Sequence, residues 1–154
     1  MRRTLETSAL TLPGAMEPHS GQNQRVLIVE DHGALLSGFT DVFEHAGRTV
    51  VPCRTFESAR QRLRTEHFSA LVTDVRLGPF NGLQLAVIAR DKYWDMPIVV
   101  LTGFDDPVLR REAAQLRAIY LVKPVSAQEL LELTSDVRIQ ASATLATSNP
   151  SGGS

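Results

Sequence analysis

Asp74 closes the run Ala70-Leu71-Val72-Thr73-Asp74, and the chain then breaks at Gly78-Pro79. A short, apolar, β-branched stretch that ends in an acid has the pattern of a buried parallel strand delivering one side chain to its C-terminal edge. In an open parallel sheet that edge is where ligands bind and chemistry occurs. Other apolar runs end in groups of complementary kinds: Glu30-Asp31 after Val26–Val29, Thr102 after Pro97–Leu101, and Lys123 after Ala118–Val122. Carboxylates that converge repel one another, and a hard divalent cation with oxygen ligands is the cheapest relief. Mg²⁺ is the expected ion. It takes few carboxylates directly and keeps several waters, so Asp31 and Asp74 are expected as direct ligands and Glu30 as a contact through water. The backbone carbonyl of Arg76 is expected to supply a further oxygen.

A carboxylate beside a cation, a lysine and a hydroxyl can attack phosphorus and become an aspartyl phosphate. The cation and Lys123 would neutralise the transferring phosphoryl oxygens, and Thr102 could donate a hydrogen bond to one of them. No general base is needed, because the carboxylate is already ionised.

Five strands must carry these groups. Val26–Val29, Thr49–Pro52, Ser69–Asp74, Pro97–Leu101 and Ala118–Val122 alternate with amphipathic stretches. Gly33–Ala46 carries Leu35, Phe39, Val42, Phe43 and Ala46 at helical spacing, with Gly47 as its stop. Phe56, Ala59 and Leu63 mark one face of a second helix ending near Glu66. Asn81 can cap a third, running to about Arg90 and dense enough in apolar residues to be largely covered. Asp105-Asp106-Pro107 opens a fourth, reaching about Arg117, and Ser126 with Glu129 forms a capping box for a fifth. The pattern is α/β: a doubly wound, five-stranded parallel sheet.

At 154 residues the chain suits one domain plus a margin, with residues 1–24 and 139–154 read as flexible tails around a domain at 25–138. A formal net charge of -1 with scattered basic residues gives no electrostatic case for direct nucleic-acid or membrane binding. The single cysteine, Cys53, excludes an internal disulfide and a multi-cysteine metal site. No stretch approaches the roughly 20 apolar residues that cross a bilayer. A cytoplasmic location is the default expectation. The residues after Arg138 are too few for an output domain, so the expectation is either a stand-alone regulator, the favoured reading, or a fragment of a longer chain.

Five ordered landmarks then point the same way: Val29-Glu30-Asp31, Thr73-Asp74-Val75-Arg76-Leu77, Asn81-Gly82, Leu101-Thr102-Gly103, and Tyr120 three residues before Lys123-Pro124. Over about Arg25 to Arg138 the chain resembles a response-regulator receiver domain of two-component signalling, the CheY-like, flavodoxin-like (βα)5 class. The resemblance implies that Asp74 is the phosphoacceptor, charged by a histidine kinase, a phosphotransfer protein or a small phosphodonor. It implies a switch in which Thr102 swings toward the phosphoryl group and Tyr120 rotates inward. This would remodel the face of the fourth helix, fifth strand and fifth helix for a downstream protein partner, with homodimerisation left open. Gly103 would leave room for the phosphodonor. Such a domain is a phosphoacceptor, not an enzyme in the ordinary sense. The chain departs from the family pattern at Gly78, at Arg117-Ala118 and in having Glu-Asp for the more usual Asp-Asp.

Three rival readings are weaker. A phosphorylation-independent binding module has no need of the five chemical positions. An aspartyl phosphohydrolase would carry a second acid two residues after its nucleophile, where Arg76 stands. A flavodoxin-like cofactor binder would need a phosphate loop that the first strand lacks. His32 is read as a neighbour of the pocket and not as a ligand.

Overall fold

The computed structural model describes residues 24–135. Apart from Gln24, the two segments read as tails, and the expected domain end at 136–138, lie outside the described residues. Five strands alternate with five helices: β1 (Arg25–Val29), α1 (Gly33–His45), β2 (Thr49–Cys53), α2 (Phe56–Thr65), β3 (Ala70–Asp74), α3 (Leu83–Lys92), β4 (Ile98–Thr102), α4 (Pro107–Gln115), β5 (Ile119–Val122) and α5 (Ala127–Leu133). The strands form one parallel sheet in the order β2-β1-β3-β4-β5. The order reverses between β1 and β3, which opens a crevice beyond their C-terminal ends.

Side chains alternate across the central strands, as a sheet buried on both faces requires. Leu27, Val29, Leu71, Ile98 and Val100 face α2, α3 and part of α4. Val26, Ile28, Val72, Val99 and Leu101 face α1 and α5. On α1 the buried stripe is Leu36, Phe39 and Phe43, while Leu35 and Val42 are half-buried and Ala46 is exposed. The helix is therefore rotated slightly from the expected face. On α3, Val87 is 50% exposed. The helix is largely covered, as expected, through Leu83, Leu85, Ala86 and Ala89; Val87 is left out because it shares the solvent side of the helical period with Gln84 and Asp91.

The helix ends follow local rules. Asp106 and Ser126 accept backbone N–H groups of α4 and α5 as N-caps. Gly47 ends α1 at φ +86°, with Arg48 N–H donating to Phe43 O and Gly47 N–H to Glu44 O. The same six-to-one closure ends α4, but here Arg117 takes the left-handed position at φ +56°. Between β3 and α3, Arg76–Leu77 and Phe80–Asn81 pair as a short antiparallel ribbon around Gly78-Pro79. Gly78, at φ +62°, supplies the left-handed residue that a two-residue hairpin turn needs first. The break at Gly78-Pro79 is thus the turn of a hairpin and not an unpaired loop.

Candidate functional site

β1, β3, β4 and β5 all deliver their terminal groups to one end of the sheet. In-step pairing does this: Val29 lies opposite Thr73, Asp74 opposite Leu101, and Thr102 opposite Val122. Carboxylate oxygens of Glu30, Asp31 and Asp74 lie within 4.8 Å of one another. Lys123 enters from the tip of β5, with Nζ donating to Glu30 Oε1 at 2.9 Å and to Asp74 Oδ2 at 3.2 Å. Its backbone N–H donates to Thr102 O at 2.8 Å, tying the lysine to the end of β4. A cleft of about 560 Å³ opens over Glu30, Asp31, Asp74, Lys123 and Leu35.

The three acids are not equivalent. Glu30 is 1% exposed, and both its oxygens are engaged: Oε1 by Lys123, Oε2 by the His32 N–H at 3.1 Å. Asp31 is exposed, and no hydrogen bond or ion pair among the described residues engages its carboxylate. Asp74 is 6% exposed. Burial, then the charge of Glu30, raises its carboxyl above the usual range, against the opposing pull of Lys123. For Lys123, burial alone would lower the ammonium; the Glu30 hydrogen bond and the Asp74 and Glu30 charges outweigh it, so the net shift is upward.

One ammonium against three carboxylates leaves a negative, all-oxygen donor set, which fits a hard divalent cation and not a soft or imidazole-seeking metal. His32 is used otherwise: it is the N-cap of α1, and its Nδ1 accepts the Leu35 N–H at 3.3 Å.

Backbone packing fixes Asp74 from behind. A Cβ on Gly82 would stand 1.9 Å from the Asp74 carbonyl oxygen, so only glycine fits the approach of α3 to the end of β3. Gly82 N–H also donates to Val75 O. Asn81 Oδ1 accepts the Leu83 N–H at 2.8 Å from one position before the helix cap, Gly82.

Thr102 is buried at the end of β4, with its hydroxyl turned to the following loop, donating to Phe104 O at 3.0 Å. Tyr120 is half-buried outside the acidic cleft. Its hydroxyl accepts the Asp106 N–H at 2.8 Å and also reaches Phe104 O at 3.4 Å. The two hydroxyls thus meet on one carbonyl. Arg76 is exposed at the start of the ribbon, with its guanidinium 5.8 Å from the Phe104 ring centre. A Cβ at Gly103 would meet nothing within 4 Å, so packing does not demand glycine there. Phe104, which is 71% exposed, carries no local signal in the sequence, and Arg54, which by sequence belongs with Arg60, Arg62 and Arg64 to a solvated basic group, instead donates from Nη2 to Asp31 O at 3.0 Å.

This chain belongs to the response regulator receiver domain family, whose model matches residues 26–135. Members are characteristically phosphorylated on an aspartate and carry a divalent metal at an acidic cluster. The chain is 34% identical over 112 residues to the response regulator protein FleR of Pseudomonas aeruginosa, covering 72% of this chain and 24% of that one. It is 32% identical over 107 residues to the transcriptional regulatory protein BasR of Escherichia coli, covering 69% and 48%. It therefore spans about a quarter to a half of these relatives. Among solved structures, a Burkholderia pseudomallei response regulator with a phosphorylated aspartic acid, calcium ion and citrate superposes with TM-score 0.69 at 25% identity, covering 83% of this chain and 76% of that one. A CheY-like receiver domain protein from Methanospirillum hungatei shares the fold with TM-score 0.68 at 23% identity, covering 84% of this chain and all of the other. Among the described residues, no helix is long and apolar enough to cross a membrane.

Proposed function

We propose that Asp74 is the phosphoacceptor of a two-component relay and that the domain spans residues 25–138. The observation that carries this reading is the convergence of the buried Asp74 carboxylate with Glu30, Asp31 and the Lys123 ammonium, within 3.2 Å of the last. In the step, an Asp74 oxygen forms a bond to phosphorus of a donor. The donor is a phosphohistidine on a histidine kinase or phosphotransfer protein, or a small acyl phosphate. The P–N or P–O bond to the leaving group breaks, and that group keeps the electron pair and takes any proton it needs from solvent. Lys123 pairs with the phosphoryl oxygens, and Thr102 leaves Phe104 O to donate to one of them. Asp31 and Asp74, with Glu30 through water and the Arg76 carbonyl, would hold a Mg²⁺, which when bound neutralises charge on the transferring group. Glu30's engaged oxygens support its indirect role.

Departure of the Thr102 hydroxyl from Phe104 O loosens the loop that also holds the Tyr120 hydroxyl. Tyr120 then turns inward and the α4-β5-α5 face changes for a downstream protein partner. The test is phosphorylation by a small acyl phosphate with Mg²⁺, read by intact mass. One phosphoryl group is expected on the wild type and none on Asp74→Asn; modification that survives the substitution would move the site. A phosphorylation-independent module would show no modification of either protein.

A further inference from the structure

We propose that Arg54 is a positioning residue of this site: reaching over from β2, it sets the β1–α1 loop so that Asp31 stands ready for a divalent cation. The inference rests on the reading of the acidic cleft given above. β1 and β2 run in step, with Val29 opposite Cys53, so the loop leaves β1 beside Arg54. Two bonds cross between them: Glu30 N–H to Cys53 O at 3.0 Å, and Arg54 Nη2 to Asp31 O at 3.0 Å. A Cβ on Gly33 would stand 3.4 Å from Arg54 Cζ and 3.5 Å from each terminal nitrogen. Near-equal distances to three atoms of one planar group mean that the guanidinium lies face-on over Gly33, covering the loop from Asp31 to the first residue of α1.

The choice of acceptor carries the argument. Arg54 reaches the backbone of Asp31, a member of the acidic cluster, yet among the described residues it makes no ion pair. It grips the Asp31 backbone carbonyl and leaves that residue's carboxylate unengaged. An arginine placed to neutralise the cluster would have taken the carboxylate and blocked it. Held by its main chain, the loop is ordered before a cation arrives, and the ordering cost is not charged to binding.

Positioning and simple electrostatics predict opposite signs. If Arg54 acts only as a nearby positive charge, removing it tightens cation binding. If it positions Asp31, removing it weakens binding, by about tenfold as for other outer-shell partners. The experiment is a MgCl₂ titration of the full chain, followed by amide NMR shifts of residues 30–33, on wild type, Arg54→Met and Arg54→Lys. The expected result is about tenfold weaker binding for the methionine variant and an intermediate loss for lysine, with metal-free melting close to wild type. If Arg54→Met does not fold, the lysine variant decides alone, since it keeps the charge and loses the planar fork. Unchanged or tighter binding overturns the proposal, as does unchanged Mg²⁺ affinity with slower acyl-phosphate labelling, which would assign Arg54 to the donor. A wild type with no saturable Mg²⁺ response removes the metal reading itself, and the proposal with it.

Discussion

The two ends of the sheet are built by opposite rules. At the N-terminal end, the C-termini of α3 and α4 meet and side chains close several of their loose carbonyls. Arg90 alone donates to four carbonyls, those of Leu116, Tyr93, Trp94 and Arg117, at 2.8 to 3.2 Å. Arg117 stacks 4.1 Å over Trp94 and donates to its carbonyl. At the C-terminal end, one ammonium serves Glu30 and Asp74, and among the described residues the Asp31 carboxylate beside them has no ion-pair partner. The same fold thus satisfies itself where it needs only to stay folded and remains unbalanced where something must bind. An unbalanced end costs stability and gains a ligand, which is the usual exchange at functional sites.

That contrast can be broken from the charged end first. Lys123→Ala removes the single counter-charge and the donor to Asp74, and the labelling rate with an acyl phosphate should fall by about 10²–10³, as for loss of one transition-state donor. A rate within a fewfold of wild type would show that the ammonium is structural. Next in size is Gly82→Ala, whose methyl group would enter the Asp74 carbonyl. Denaturant unfolding should show a loss of about 1–3 kcal/mol, as for overpacking, together with slower labelling. Full stability would mean that α3 can back away from β3.

A smaller effect follows from the raised Asp74 carboxyl. A carboxyl that binds its proton more readily folded than unfolded destabilises the fold while ionised, and that penalty fades as pH falls through the raised value. Without metal, Asp74→Asn should therefore melt a few degrees above wild type at pH 7. The gap should close as pH falls toward the ordinary carboxylate range, and it should also close at pH 7 when Mg²⁺ stabilises the wild type. A gap that widens in acid would reverse the sign argued here. Least of all should Arg117→Gly change: relief of a left-handed non-glycine residue, about 1 kcal/mol, is offset by loss of the Trp94 stack and by a more flexible unfolded chain. A melting shift of many degrees would mean that the self-satisfied end is finely tuned after all.

Most of the architecture was legible because its signals are local. Apolar runs, Asp106, Ser126 and Gly47 announced strands, caps and a stop without reference to anything distant. The groups of the site were legible for the same reason, each lying at the end of such a run. What escaped depends on who sits beside whom. Arg54 meets Asp31 only because β2 flanks β1, and Phe104 becomes a joint only because Thr102 and Tyr120 approach it from two strands. Gly82 appeared in a recognisable dipeptide, but the reason for it is a carbonyl eight residues earlier. The ribbon at Arg76–Asn81 was missed because two residues on each side are too few to show alternation. The rotation of α1 onto Leu36 was missed because adjacent leucines blur the helical stripe.

The carbonyl of Phe104 takes a hydrogen bond from Thr102 and lies within reach of the Tyr120 hydroxyl. An oxygen with two lone pairs can seat two visitors, and when one departs the other loses the company that kept the loop in place. On the proposed reading, such a joint would favour two settings over a continuum. A downstream reader would then receive something close to a yes or a no, and how much of the population says yes would depend on how long phosphorus stays at Asp74.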